Sequence, residues 1–167
     1  MIPNYLTGLE YLKQRVSGVM PDPPIFETMA MQITHVEKGF VRVAAKPDRS
    51  HLNSAGTVQG GVTASILDAA TGFAVHSLLD AGLYVVTVGL ELHFLRPVFA
   101  DNGNLTAEGR IVQLSRLIGV ANGTLRDAAG SKIAAATGTC VIRRLKKTNL
   151  DEQRCHLSFI ENRKRII

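Results

Sequence analysis

From Val62 to Leu79 the chain is apolar around nearly the whole circumference of a helix, with Val62, Ile66, Ala69, Ala70, Phe73, Ala74 and Leu78 at i, i+3, i+4 spacing and Asp68 set among them. A helix without a broad polar face has to be enclosed by protein, so the rest of the chain must supply a wrapper. Asp68, His76 and Asp80 interrupt the run before it reaches the length of charge-free apolar sequence that a membrane-spanning helix needs.

The flanks have strand character. Phe26 to Ala45 alternates through Met29, Met31 and Ile33, breaks at Glu37-Lys38-Gly39, and resumes with Phe40, Val41 and Val43, which predicts a hairpin. Pro47 to Gly61 has no clear period and reads as a loop. After Ala81-Gly82, four strand-like runs follow: Tyr84 to Leu95, Asn104 to Leu114, Leu117 to Arg126 and Lys132 to Arg143. Asp101-Asn102-Gly103 and Asp127-Ala128-Ala129-Gly130 separate two pairs of them as hairpin turns. The expected architecture is α+β, one long central helix wrapped by a curved antiparallel sheet of five or six strands, the last four in a meander. Tyr5, Leu6, Leu9, Leu12 and Val16 predict a short amphipathic helix ahead of it, which Pro21, Pro23 and Pro24 end. The organisation is then a lead over 1–24, one domain over 25–144 and a basic tail over 145–167.

The tail carries the charge. Residues 143–167 hold eight Lys or Arg against three Asp or Glu, whereas residues 1–142 balance at eleven of each, so the net charge of +5 is a property of one terminus. A basic run such as Arg163-Lys164-Arg165 is ordinarily a solvated end, and no nucleic-acid or membrane partner is expected. Cys140 and Cys155 lack metal or CxxC spacing and read as reduced thiols of a cytoplasmic protein; the five histidines likewise predict no metal site. Ser65 and Ser115 lie outside any Gly-x-Ser-x-Gly elbow, so a serine-hydrolase site lacks its main signature.

The chemistry points to the start of the apolar helix. His51-Leu52-Asn53-Ser54-Ala55-Gly56-Thr57-Val58-Gln59-Gly60-Gly61 delivers the chain to a helix N-terminus, where free N–H groups and the dipole suit an anionic oxygen. A carboxylate kept among Ala, Ile and Leu at position 68 is costly unless it is used. Together they suggest acyl transfer. Gly60 and Asp68 stand about 12 Å apart along one helix, at 1.5 Å per residue, too far to touch one carbonyl. Two antiparallel helices from two chains would bring the first of one against the second of the other.

His51-x-Asn53-x-x-Gly56-x-x-Gln59-Gly60-Gly61, Leu67-Asp68, Gly72 and Phe94-Leu95-Arg96-Pro97 make the chain resemble a hotdog-fold acyl-CoA thioesterase of the phenylacetate-pathway (PaaI-like) branch of the 4-hydroxybenzoyl-CoA thioesterase superfamily, from about Phe26 to Arg144. The resemblance implies that Gly60 N–H polarises the thioester carbonyl while Asp68 serves as general base or nucleophile. It implies that Asn53 positions the attacking water or its loop, and that Thr87 helps hold the water. It also implies a homodimer as the minimal active unit, a homotetramer as the expected assembly, and no cofactor, CoA entering as part of the substrate. Gln59 departs from the His that many members carry before the glycine pair; Gln donates a hydrogen bond but carries no proton. His51 and Gly61 then border the substrate, with His51 orienting the loop, and Arg96, Arg116 and Arg143 are candidates for the coenzyme phosphates beside Arg110 and Arg144.

Plainer readings stand beside these. Asp68 could pair with an arginine such as Arg96, Asn53 and Gln59 could satisfy loop backbone, the glycines could serve only the turn, and Thr87 is an ordinary strand former. Two other functions compete: a non-catalytic acyl-CoA-binding hotdog protein, and a hydratase or dehydratase, which needs a His that Gln59 does not supply.

Overall fold

The structure, a computed structural model, describes residues 2–99 and 103–145. The tail beyond Leu145, with Cys155 and His156, and the Asp101-Asn102 part of the expected turn lie outside the described residues. Elements follow in the order α1 (Gly8–Val16), α2 (Pro24–Thr28), β1 (Met31–Glu37), β2 (Phe40–Ala45), a 3-10 turn (Arg49–His51), α3 (Gly60–His76), β3 (Leu83–Phe94), β4 (Leu105–Leu114), β5 (Ile118–Arg126) and β6 (Lys132–Arg144). All six strands form one antiparallel sheet in the order β1-β2-β4-β5-β6-β3. The sheet wraps α3, giving the hotdog architecture.

The close approach of α3 to the sheet follows from what faces it. Cβ atoms added at Gly109 and Gly119 would stand 2.0 Å from the Ala70 carbonyl oxygen and 2.2 Å from a Val75 methyl, so these strand positions admit the helix only as glycine. Ile66, Leu67, Ala70, Ala74 and Val75 are fully buried there, with Val41, Val43, Leu105, Ala107 and Leu125 beneath.

Three details differ from the sequence expectation. The last four strands are not a meander: β3 pairs with β6, Phe94 opposite Ala134 and Leu83 opposite Arg144, while β4 lies between β2 and β5. The segment after β3 therefore carries the chain across to the other half of the sheet, and β3 ends up as an outer strand. Phe26 belongs to α2, with Pro24 at its first helical position, where the missing N–H costs nothing. The long helix starts at Gly60 and ends at His76, ahead of Ser77.

α1 is part of the same core. Thr7 and Glu10 form a capping box at its start, and the Gly8 N–H donates to the Leu79 carbonyl at 2.9 Å, tying α1 to the end of α3. Tyr11 meets the His76 ring edge-on at 5.5 Å. The guanidinium of Arg15, itself buried, donates to Tyr11 Oη and to the Pro21 carbonyl and lies 3.7 Å from the Asp22 carboxylate. Arg15 thus fixes the chain directly before α2.

Candidate active site

An apolar cleft of about 300 Å³ opens beside the middle of α3, lined by Ser65, Asp68, Ala69, Gly72 and Phe73 of the helix, by Met31, by Val85 and Thr87 of β3, and by Pro23, Ile25 and Phe26 at α2. Asp68 is its one carboxylate among the described residues. Its Oδ1 is fully buried and meets no hydrogen-bond donor among the described residues. A desolvated carboxylate oxygen without a donor is unfavourable in the folded chain, so the fold holds a ready acceptor against the cleft. The arginines expected as plainer partners do not neutralise it: the Arg96 side chain is exposed and makes no ion pair among the described residues.

Thr87 shares the cleft with Asp68. The nearest partner of its hydroxyl is the Cys140 sulfur at 3.9 Å, a weak contact that leaves Oγ1 able to bind a water. Burial pushes the Cys140 thiol up, and the negative charge of Asp68 adds to the shift, so this sulfur stays protonated and inert.

The entry to α3 is a separate region. Gln59 occupies the N-cap without capping the helix through its side chain, and neither Gly60 N–H nor Gly61 N–H meets an acceptor among the described residues. Two free donors thus sit at the positive end of the helix dipole. A Cβ at Gly60 would lie 3.0 Å from Phe94 Cζ, which puts this helix end beneath the last residue of β3. The loop before it is tied down: Gln59 N–H donates to the His51 carbonyl and Val58 N–H to the Val98 carbonyl.

Asn53 and His51 build that loop. Asn53 Oδ1 accepts from the N–H groups of Ala55 and Thr57, and its Nδ2 donates to Thr57 Oγ1. The buried His51 ring is held between the Thr28 carbonyl and Asp48, both at 2.9 Å. The arginines divide between the two ends of the sheet. Arg96 lies at the Gly60 end, its N–H directed to the Ile133 carbonyl, whereas Arg143 opposes Tyr84 and Arg116 sits in the β4–β5 turn at the far end. Within one chain, then, Asp68 and Thr87 come together; Gly60, Gly61, Gln59 and Arg96 form a second group; and Arg116 and Arg143 a third.

The cleft walls at Pro23, Ile25, Phe26, Met31 and Phe73 were not anticipated as functional. The Pro-Pro start of α2 is the signal that could have marked a short helix there.

Comparison with known proteins agrees with this fold. The pattern of the Thioesterase superfamily matches residues 55–134, from the loop before α3 to β6. A phenylacetic acid degradation-related protein of Ralstonia eutropha JMP134 superposes with a TM-score of 0.72 at 31% identity, over 78% of this chain and 98% of that one. A Streptococcus mutans UA159 protein whose crystals contain acetyl-CoA gives 0.63 at 25% identity, over 70% and 91%. A provisionally named esterase of Saccharolobus solfataricus is 28% identical over 138 residues, 83% of this chain and 89% of its own length. A PaaI-like hotdog thioesterase is the class that the fold and these matches define. The chain belongs to the Thioesterase superfamily and is a thioester hydrolase.

Proposed function

We propose that the protein hydrolyses an acyl-CoA thioester to a carboxylic acid and free CoA, at a site shared by two copies of the chain. The observation that carries this reading is the Asp68 carboxylate, held without a donor against an apolar cleft, on a helix whose N-terminal N–H groups are also free.

The sheet suggests how the two halves meet. β3 is an outer strand with Val86 and Val88 44% and 61% exposed, and such an edge pairs readily with another strand. Antiparallel pairing of two β3 strands about Gly89 sets residues 85–87 of one against 91–93 of the other, with both α3 helices on the same side of a continuous sheet. Asp68 shares its cleft with Val85 and Thr87, and Gly60 lies under Phe94, so each Asp68 arrives opposite the partner's Gly60. The same operation brings the partner's Arg143, which opposes its Tyr84, toward Arg96; these two are our candidates for the coenzyme phosphates. Arg116 follows Arg143 to that end, and further pairing of dimers would give the homotetramer.

In the reaction Asp68 takes a proton from water as the water oxygen attacks the thioester carbon. The oxyanion accepts a hydrogen bond from the partner's Gly60 N–H, a kind of contact worth roughly 2.7–4 kcal/mol in the transition state. Collapse expels the CoA thiolate, which receives the proton from Asp68. In the nucleophilic variant an Asp68 oxygen attacks the carbon, thiolate leaves, and water hydrolyses the mixed anhydride and restores the carboxylate. Thr87 holds the water, Asn53 and His51 hold the loop that presents Gly60 and Gly61, and Gln59 offers its amide at the carbonyl side. No dissociable cofactor is required, and the reading suits a cytoplasmic enzyme.

Thiol release from a panel of short, medium, phenylacetyl and hydroxybenzoyl CoA esters tests this. Turnover of at least one ester that disappears on Asp68→Ala with the dimer intact is the expected result; a folded wild-type chain that binds CoA esters and releases no thiol would favour a binding protein.

A further inference from the structure

Among the described residues, Gly72 is the buried helical glycine whose missing side chain no neighbour fills. At Gly109, Gly119, Gly123 and Gly138, where helix meets sheet, an added Cβ would run into atoms at 2.0 to 2.9 Å, so packing explains those glycines. At Gly72 the nearest atom is Thr87 Oγ1 at 3.9 Å, ordinary contact distance, so an alanine would fit there. Mid-helix glycine weakens a helix relative to alanine, and here packing gives nothing in return. The space it leaves is part of the cleft, one helical turn from Asp68 on the same face.

The far wall of that cleft is built by a segment outside residues 55–134, the part that the superfamily pattern matches. Pro23, Ile25 and Phe26 close it, with the Phe26 ring tilted 52° against Phe73 at 5.9 Å between centroids. Arg15 anchors this wall through Pro21 and Asp22. A volume of about 300 Å³ is at the small end of the range for ligand sites, about 300–1,000 Å³. Within one chain, then, Gly72 leaves room at the side of the cleft next to Asp68, and Ile25 and Phe26 bound it on the α2 side.

We propose that Gly72 and α2 together determine acyl specificity: Gly72 gives lateral room for a branch close to the carbonyl, and the Pro23–Phe26 wall stops long linear chains, so that the enzyme takes short, broad acyl groups. The proposal rests on the thioesterase reading of the site.

The test uses the full chain as wild type, Gly72→Ala and Ile25→Ala; Ile25 is 48% exposed, so its truncation spares the core. Two readouts run side by side: kcat/KM for acetyl-, isovaleryl- and decanoyl-CoA, and calorimetric affinity for the corresponding S-alkyl CoA thioethers, which have no bond to hydrolyse. One methylene in an apolar pocket is worth about 10- to 200-fold in discrimination. Gly72→Ala is expected to keep or raise the thermal midpoint and to lower the isovaleryl-to-acetyl ratio by about 10-fold or more. Ile25→Ala is expected to raise the decanoyl-to-isovaleryl ratio. A folded Gly72→Ala chain with unchanged ratios in both readouts overturns the proposal. Wild type that releases no thiol, yet shows the shifted thioether preference in Gly72→Ala, overturns the hydrolytic reading and leaves the slot standing.

Discussion

Replacing Asp68 with Asn keeps the shape of the side chain and removes its charge and its ability to accept a proton. Two effects of opposite sign follow. Loss of a positioned general base lowers kcat by about 10²- to 10⁴-fold, and loss of a carboxylate nucleophile by at least as much. Stability moves the other way. Oδ1 is buried with no donor among the described residues, and an unsatisfied buried polar group costs about 1–3 kcal/mol, more when charged. The neutral amide reduces that cost, and a gain of about 1 kcal/mol corresponds to about 2–4 °C in the thermal midpoint for a chain of this size. Thiol release with a turnover substrate and a calorimetric scan of the same preparations read both quantities. A carboxylate kept for structure would give the reverse pair, activity within about twofold of wild type and a lower midpoint, and that pair would refute the reasoning.

Gly60→Pro is the matching change at the other half of the site. Gly60 is the first residue of α3, where proline is favoured, and Gln59 already has the extended ψ of 136° that precedes a proline. The variant deletes one N–H; its Cβ would meet Phe94 Cζ at 3.0 Å, and that ring, 58% exposed, can swing aside, so the chain should fold, with kcat lowered by about 10²- to 10³-fold; full activity would remove Gly60 from the oxyanion role. His76 gives a pH prediction. Burial, with Arg15 nearby, holds it at about 4 instead of 6.5. The unfolded chain takes up this proton near 6.5 and the folded one only near 4, so the stability is complete above 6.5 and lost as pH falls through that window, about 3 kcal/mol in all. Chemical unfolding from pH 7 to 4 should show this slope, and His76→Phe should flatten it; an equal slope in both would assign the acid sensitivity elsewhere.

The central helix and the strands around it were legible because each is long enough for its period to show and because one apolar helix demands an enclosing sheet. The place of β3 was not. A strand has the same alternation whether its neighbour is β4 or β6, and the pairing of Phe94 with Ala134 is a long-range choice with no local signature. α2 was hidden for another reason: five residues with a single buried side chain, Phe26, cannot be told from a strand by periodicity. Asp68 stood out as a charge in an apolar helix, and in the structure it lines one cleft with Thr87. The division of the arginines was invisible, since Arg96 follows the end of β3 while Arg143 on β6 opposes the start of that strand, and only the register reveals that. The amide of Asn53 could serve loop or substrate equally well by its chemistry; in the folded chain both its ends bond within residues 53–57.

A hybrid dimer tests the shared site most directly. One chain carries Asp68→Asn and the other Gly60→Pro, each inactive as a homodimer, and differently tagged copies are purified together after co-expression. If each site joins Gly60 of one chain to Asp68 of its partner, one of the two sites in the hybrid is intact, and thiol release should recover to about half of wild type per dimer. If both groups act within one chain, every site carries a defect, and a stable hybrid that stays as slow as its parents would contradict the account.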